Sequence, residues 1–568
     1  MAVRSESLDL DRIAPLALGL TVLASGLLLY HLTRGSSFWG DDWAWITTRR
    51  ANTVHNFLSP YDGHLSVLPL AIYRLMFAVF GINSYAPYRA LVIALSLAIG
   101  LLVFEYARHR VSQFLAMLVA ALVLFVGPGW QDTMWTFQIG WELALGLGMG
   151  ALIMLDRRTL GADIAACALT FGSICSTSFG VAFAVGIAVD VALTRRRWRD
   201  AWIPGIPLAL YAVWALHYHP TGINWSEITL VPSNLAQTFA GGLAGIVGLS
   251  GATPLDPVGT NLTYGTPLLA VLAVVSVRSV VTRRFSVRAG TLLVVLIVFS
   301  ALTTLGRAFE TPLVSRYIYP DCVLIALYGV ELARGARIAH VVQVCLAALA
   351  VIAVIANIGI LRAGGGYLRM VGASTNADVA VLNLGRGSIP SGYIATQLPD
   401  YPYVAITAGS MFAAEDALGT PADSNQQLAR VPATARAVAD NELIGERAIV
   451  LSPGISPAAA GGAPPSVSSI TEGFVTRSGA CARFKPASVL RPGAVSSVAL
   501  TLRPGAIRLI AGSAPVTLAV RRFGPTAATL GTVGPGRSAV VLVRRDSAGD
   551  PWQLELRGGA AVRACSLR

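Results

Sequence analysis

Phe38-Trp39-Gly40-Asp41-Asp42-Trp43 follows the first apolar segment of the chain, and Tyr61-Asp62-Gly63-His64 answers it further along. The apolar segment, residues 13–33, is long enough to cross a bilayer, which takes about 20 mostly apolar residues. Two adjacent carboxylates therefore stand where a membrane helix ends. Side-by-side carboxylates repel, and a metal, a cationic partner or a raised pKa relieves them. Asp is also a common helix N-cap, so the same pair suits the first turn of a loop helix. The rest of the chain decides between the two.

The chain has 568 residues, of which 54% are hydrophobic and 13% charged, with a mean hydropathy of +0.62. Soluble domains carry about 25% charged residues, so the composition is that of an integral membrane protein. The net charge of +13 does not indicate a nucleic-acid partner. The arginines fall in short clusters between apolar runs, the pattern of cytoplasmic loops, and Lys485 is the sole lysine. Residues 13–32 are expected to stay as a helix, since no small-residue cleavage site follows them.

Working outward, the expected spans are 13–33, 85–107, 111–127, 137–155, two within 161–194, then 201–216, 265–282, 289–305, 317–333 and 338–361. The polar cluster Ser173–Ser178 with Gly180 marks the turn inside 161–194. Residues 65–80 hold Pro69 and Arg74 and are short, so they read as a helix lying at the outer interface. Arginines occupy every loop on one side: Arg4 and Arg12, Arg108 and Arg110, Arg157 and Arg158, Arg195-Arg196-Arg197, Arg283 and Arg284, Arg334 and Arg337. The positive-inside rule makes that side cytoplasmic. The expectation is a mainly α, polytopic plasma-membrane protein of about eleven transmembrane helices, its N-terminus cytoplasmic and its C-terminal region extracytoplasmic.

Three regions follow: a transmembrane domain over 1–361, a mixed α/β segment over 362–465, and a β-sandwich over 466–568. Alternating apolar residues at 495–502, 506–510, 516–520, 539–543 and 552–556, separated by Gly and Pro turns, carry the sandwich. Cys167, Cys175, Cys322 and Cys345 lie in apolar runs and read as buried hydrophobes. Cys481 and Cys565 bracket the polar C-terminal region and can form a disulfide if it is outside the cell membrane.

The unusual polar residues gather on the expected outer side: the 34–64 loop, Asp132, Gln138 and Glu142, His217-Tyr218-His219, and the turn from Gly306 to Tyr317. Ionisable groups at membrane depth usually face a cavity or a partner. The layout resembles the GT-C superfamily of membrane glycosyltransferases, which includes protein O-mannosyltransferases and the bacterial aminoarabinose transferase. Asp41 and Asp42 opening the first outer loop, the interfacial helix over 65–80 and Asp132 in the second outer loop carry the resemblance. The run from Trp39 to about Trp141 also resembles actinobacterial proteins of this class. The resemblance covers roughly the first 360 residues. It implies transfer of a sugar from a polyprenyl-phosphate donor to an extracytoplasmic glycan, glycolipid or protein. It makes Asp41 the expected base, Asp42 its structural or metal-binding neighbour, and Asp132, matched by loop alone, the second acid.

The chemistry needs a carboxylate to take the acceptor's proton and positive charge to hold the leaving phosphate. Arg307 and Arg316 are the candidates for that phosphate, with Arg74 a further one. His64, Gln138, Glu142 and Tyr317 are the other candidate substrate contacts. A divalent metal is an alternative source of that positive charge, for which Asp41, Asp42, His55, Asp62 and His64 are ligand types at no recognised spacing. Asn261-Leu262-Thr263 matches a glycosylation sequon and is read as accidental. The sandwich is, by analogy of fold, a candidate carbohydrate-binding appendage. Two other classes stay open: a transporter or flippase of lipid-linked sugar, which would favour broken or polar helices at the midplane, and a non-enzymatic envelope-assembly protein.

Overall fold

The computed structural model describes residues 10–194, 198–220, 222–250, 262–307, 310–336, 338–395, 406–454, 460–487, 496–546, 548–559 and 561–567. Arg4, Arg195-Arg196-Arg197, Asn261, Ala308, Phe309 and Arg337 lie outside them. The chain is mainly helical (61%) with a C-terminal β-sheet region. It divides into two compact units, one of Met1–Arg34 with Arg49–Leu368, the other of Gly35–Thr48 with Arg369–Arg568.

The helices are, in chain order, α1 (Leu10–Leu32), α2 (Asp41–Thr48), α3 (Val54–Leu58), α4 (Val67–Phe80), α5 (Ala86–Arg108), α6 (Gln113–Leu124) and α7 (Trp130–Met134). Next come α8 (Ile139–Asp156), α9 (Leu160–Ile174), α10 (Phe179–Thr194), α11 (Trp202–Tyr218), α12 (Val231–Ile246), α13 (Leu262–Val281), α14 (Val287–Gly306), α15 (Ser315–Leu332) and α16 (His340–Leu384). The last are α17 (Ala408–Leu418), α18 (Asn425–Leu428) and α19 (Ala433–Gly445).

Six helical stretches among the described residues are long and apolar enough to cross a membrane: α1, α5, Thr136–Asp156 (which contains α8), α13, α14 and α16. They leave apolar side chains exposed, such as Leu16 and Leu20 on α1 and Val274 and Val277 on α13, as a lipid-facing surface requires. Each of the eleven expected segments coincides with a helix, but the others are shorter or more polar. Helices α6, α9, α10 and α11 have 12, 15, 16 and 17 residues, and α15 carries Arg316, Asp321 and Glu331.

The ends follow local chemistry. Ser112, Thr159 and Ser286 cap α6, α9 and α14 by accepting backbone N–H bonds, as N-cap hydroxyls do. The turn inside 161–194 falls where the polar cluster lies. A Cβ on Gly180 would sit 2.3 Å from the Ile174 nitrogen, so only glycine fits there.

Two stretches differ from expectation. Residues 217–264, which hold none of the expected spans, contain α12, with Pro in its first turn, where its missing N–H is not needed. Its glycines serve close packing: a Cβ on Gly242 would lie 2.6 Å from Ile325 and one on Gly245 3.1 Å from Cys322. Helix α16 continues past residue 361 for 45 residues in all, about 67 Å at 1.5 Å per residue. That is twice a bilayer's hydrocarbon core. The glycines after Ala363 do not break it. Gly364 admits Trp130 and Gly365 the Leu32 carbonyl, each closer than 3 Å to where a Cβ would stand.

The second unit is built on strands β1 (Ile449–Pro453), β2 (Ser466–Thr471), β3 (Gly473–Ser478), β4 (Cys481–Pro486), β5 (Ser497–Leu502) and β6 (Gly505–Ala511). They continue with β7 (Val516–Arg521), β8 (Ala528–Val533), β9 (Ser538–Val543), β10 (Trp552–Arg557) and β11 (Val562–Ser566). One sheet has the order β1-β9-β6-β11-β4-β3 and the other β2-β5-β10-β7-β8. Leu509 and Val541 of the first sheet and Leu500, Leu518 and Leu554 of the second share one core, which also takes Ala377 and Val381 of α16 and Leu443 of α19. Cys481 and Cys565 stand opposite each other in the β4–β11 register and are joined by a disulfide.

That bond closes a sequence separation of 84 residues, and loss of such a link typically costs about 2–4 kcal/mol. The full-length Cys481→Ser/Cys565→Ser variant is expected to lose protease resistance in residues 460–567 at a lower urea concentration than the parent. Equal resistance would mean the sheets hold without the cross-link.

Candidate functional site

Within the first unit the Tyr61–His64 stretch is a two-residue hairpin. Tyr61 and His64 exchange backbone hydrogen bonds of 3.1 and 2.9 Å, while Asp62 and Gly63 take φ of 52° and 79°. Asp-Gly is a favoured pair for such a turn, because both central residues need positive φ. The turn presents Asp62 to Arg307, which follows the end of α14. The Arg307 Nη2 lies 2.5 Å from Asp62 Oδ2 and donates to the Asp62 carbonyl at 2.6 Å.

Next to this pair is another. Arg316 is ion-paired with Glu310, and the Tyr317 hydroxyl donates to the other Glu310 oxygen at 2.7 Å. The His64 Nδ1 is 2.7 Å from the Ser178 hydroxyl at the start of α10. The Trp141 ring is edge-on to both His64 and Tyr317, at 5.9 and 5.6 Å between centroids. Asp62, His64, Trp141, Tyr211, Arg307 and Tyr317 line a cleft of about 100 Å³. Burial, reinforced by the Arg307 charge and partly offset by Asp62, pushes the His64 imidazole down to about 4. His64 is therefore neutral at pH 7.

A group of buried acids adjoins this cluster. Asp132 and Glu142 are essentially inaccessible. Neither Asp132 carboxyl oxygen has a hydrogen-bond partner among the described residues, nor do Gln138 Oε1 and Glu142 Oε2. Glu142 Oε1 accepts from Ser96 at 2.8 Å. The Gln131 N–H donates to Ser315 at 3.0 Å, and Gly129 lets Tyr319 approach, which fixes α7 against α15. Burial, with the Glu142 charge adding to it, raises the Asp132 carboxyl well above its usual range, and only Arg316 among the side chains opposes this. Asp132 is thus suited to holding a proton rather than removing one.

Arg74 on α4 has a different environment. Its guanidinium donates to the Arg49 and Ala51 carbonyls and to Asn52 and Asn56, and stacks 3.9 Å over Phe57. These contacts tie the 49–57 loop to α4. His55 lies 6.0 Å from the Tyr218 ring. Among the described residues no three His, Cys, Asp or Glu side chains converge to hold a metal.

Asp41 and Asp42 belong to the second unit. They open α2, where carboxylates favour the helix N-terminus. Asp42 is fully buried and accepts the Trp39 N–H at 3.2 Å, which fixes the turn leading into the helix. Trp43, Ala44, Trp45 and Ile46 are buried behind it, and α2 packs against α17.

The structure thus gathers Asp62, His64, Arg307, Arg316 and Tyr317, sets Asp132, Gln138 and Glu142 beside them, and commits Arg74 to a loop. The sequence reading missed the parts played by Ser178 and Glu310. Asp62-Gly63 signalled its turn, whereas nothing local links His64 to a serine 114 positions away. No family model matches the chain, and no curated protein matches it.

The low His64 value has a pH consequence. Unfolded, the imidazole takes its proton near pH 6.5; folded, it does so only near 4. Its contribution is present above pH 6.5 and is lost as pH falls toward 4, at up to about one proton's slope. The His64→Gln variant should show a shallower fall in stability across that window in urea titrations at stepped pH. An unchanged slope would mean that His64 does not titrate there.

Proposed function

We propose that this chain is an inverting membrane glycosyltransferase that moves a sugar from a polyprenyl-phosphate donor to an acceptor hydroxyl outside the membrane. In that reading about eleven helices cross the plasma membrane, and the N-terminus is cytoplasmic. The observation that carries it is the cleft in the first unit, where arginine, neutral histidine and aromatic walls meet beside the ends of apolar helices. Aromatic faces suit the apolar face of a sugar or an isoprenoid. Arg307 and Arg316 are proposed to hold the donor phosphate, exchanging a carboxylate partner for a phosphate oxygen.

Asp41 is the proposed base, an assignment that rests on the resemblance of the sequence alone. It takes the acceptor's proton as the acceptor oxygen attacks the anomeric carbon. The bond from that carbon to the phosphate oxygen breaks, and polyprenyl phosphate leaves as a stable anion. No separate acid is required. The acceptor is a cell-wall polysaccharide, a glycolipid or a protein, and the two-sheet region is a candidate carbohydrate-binding surface.

Glu142 and Asp321, buried acids within apolar helices, favour a second reading, a transporter or flippase of lipid-linked sugar, since intramembrane acids mark transport paths.

Transfer from a radiolabelled polyprenyl-phosphate sugar to wall glycan, measured in membranes, separates the readings. Asp41→Asn is expected to reduce turnover at least about 100-fold, the usual scale for a general base, while donor binding persists. Full transfer by that variant would remove Asp41 as the base. Donor crossing the bilayer without transfer would favour the flippase.

A further inference from the structure

The arginine clusters that end α5 and α8 and begin α14 do more than mark one side of a helical bundle. They surround a cavity of about 600 Å³, within the usual range for a ligand pocket. Six arginines line it against three carboxylates, Glu105, Asp156 and Asp190.

Three of the arginines are committed. Arg110 binds Glu331 and, at 2.7 Å, Asp156. Arg108 binds Glu105 at 2.5 Å. Arg288 donates through Nη2 to Asp156 at 2.7 Å. The other three have charge to spare: Arg157 and Arg158 are exposed and make no ion pair among the described residues, and Arg334 stands 3.6 Å from Glu331. The Arg288 side chain is also nine-tenths buried, yet its Nη1 has no hydrogen-bond acceptor and lies 3.6 Å from Asp190. The ion pair with Asp190 offsets the burial of this guanidinium in part, and a hydrogen-bond acceptor at Nη1 would complete it. Arg157 and Arg158, without ion pairs among the described residues, and the buried Arg288 Nη1 border one solvent-open cavity.

We propose that this cavity is a binding site for a phosphate-bearing ligand, held by Arg157, Arg158 and Arg334 with Arg288 Nη1 as the buried donor. Guanidinium groups suit phosphate because they present paired donors to its oxygens. The site is distinct from the Arg307 cleft and does not depend on the transferase reading. The phosphate can come from an acidic lipid headgroup or from a water-soluble phosphate compound.

Two arms separate these sources in the full-length protein. In the first, the protein in phosphatidylcholine nanodiscs is titrated with inorganic pyrophosphate by calorimetry. In the second, protein from vesicles of phosphatidylcholine with phosphatidylglycerol is examined by native mass spectrometry for retained phosphatidylglycerol. Each arm is repeated with Arg157→Ala/Arg158→Ala, whose side chains make no ion pair and whose loss should leave the fold intact. Saturable pyrophosphate binding that weakens at least tenfold in the variant identifies a soluble ligand. Retained phosphatidylglycerol that the variant loses identifies a lipid. Binding of neither probe, or binding unchanged in the variant, overturns the proposal.

Discussion

Glu331 is a fully buried carboxylate among apolar helices, and the first unit is arranged so that it is never alone. Arg110, the Tyr106 hydroxyl and the Ser286 hydroxyl all reach it. Arg110 extends to Asp156, Asp156 to Arg288, and Arg288 to Asp190. This chain of charges joins α5, α8, α10, α14 and α15 at one end of the bundle. Apolar contact alone is non-directional and would let these helices slide. The buried Arg110–Glu331 pair cannot slide without losing partners, and removing one partner of such a pair costs about 3–5 kcal/mol, whereas Asp156 is partly open to solvent. The ion pairs of the candidate cleft are shallower: Asp62 is largely exposed where it meets Arg307, and Glu310 and Arg316 are partly buried.

The second unit is held by different means. Its two sheets close over an apolar core, and backbone N–H groups meet one of its buried carboxylates. Asp440 accepts three successive N–H groups from Arg522, Phe523 and Gly524, while Arg522 is bridged to Asp546. Asp42 does the same on a smaller scale with Trp39. Glu446 lacks that much help: burial pushes it up to about 8 even with Arg544 beside it.

Much of this was legible in the sequence, because length and apolarity are local properties. The turn between α9 and α10 and five of the strands lie where composition put them. What escaped depended on partners. Helix α12 lies where no span is expected, and in sequence its Gly242, needed for close packing against Ile325, looks the same as a turn glycine. At the candidate site, Asp62 and Arg307 were singled out separately, but their pairing across 245 positions had no local trace. Asp321 was passed over inside an apolar run, although an acid there is a functional signal in itself.

The central claim is that the cleft beside Asp62 and Arg307 receives the phosphate and sugar of a lipid-linked donor. A cryo-electron microscopy map of the full-length protein with a polyprenyl-phosphate sugar bound tests it most directly. The account predicts phosphate density within hydrogen-bonding reach of Arg307 or Arg316, with the sugar against Trp141 or Tyr317. An isoprenoid phosphate lying instead in a groove at the membrane midplane, away from both arginines, would contradict it.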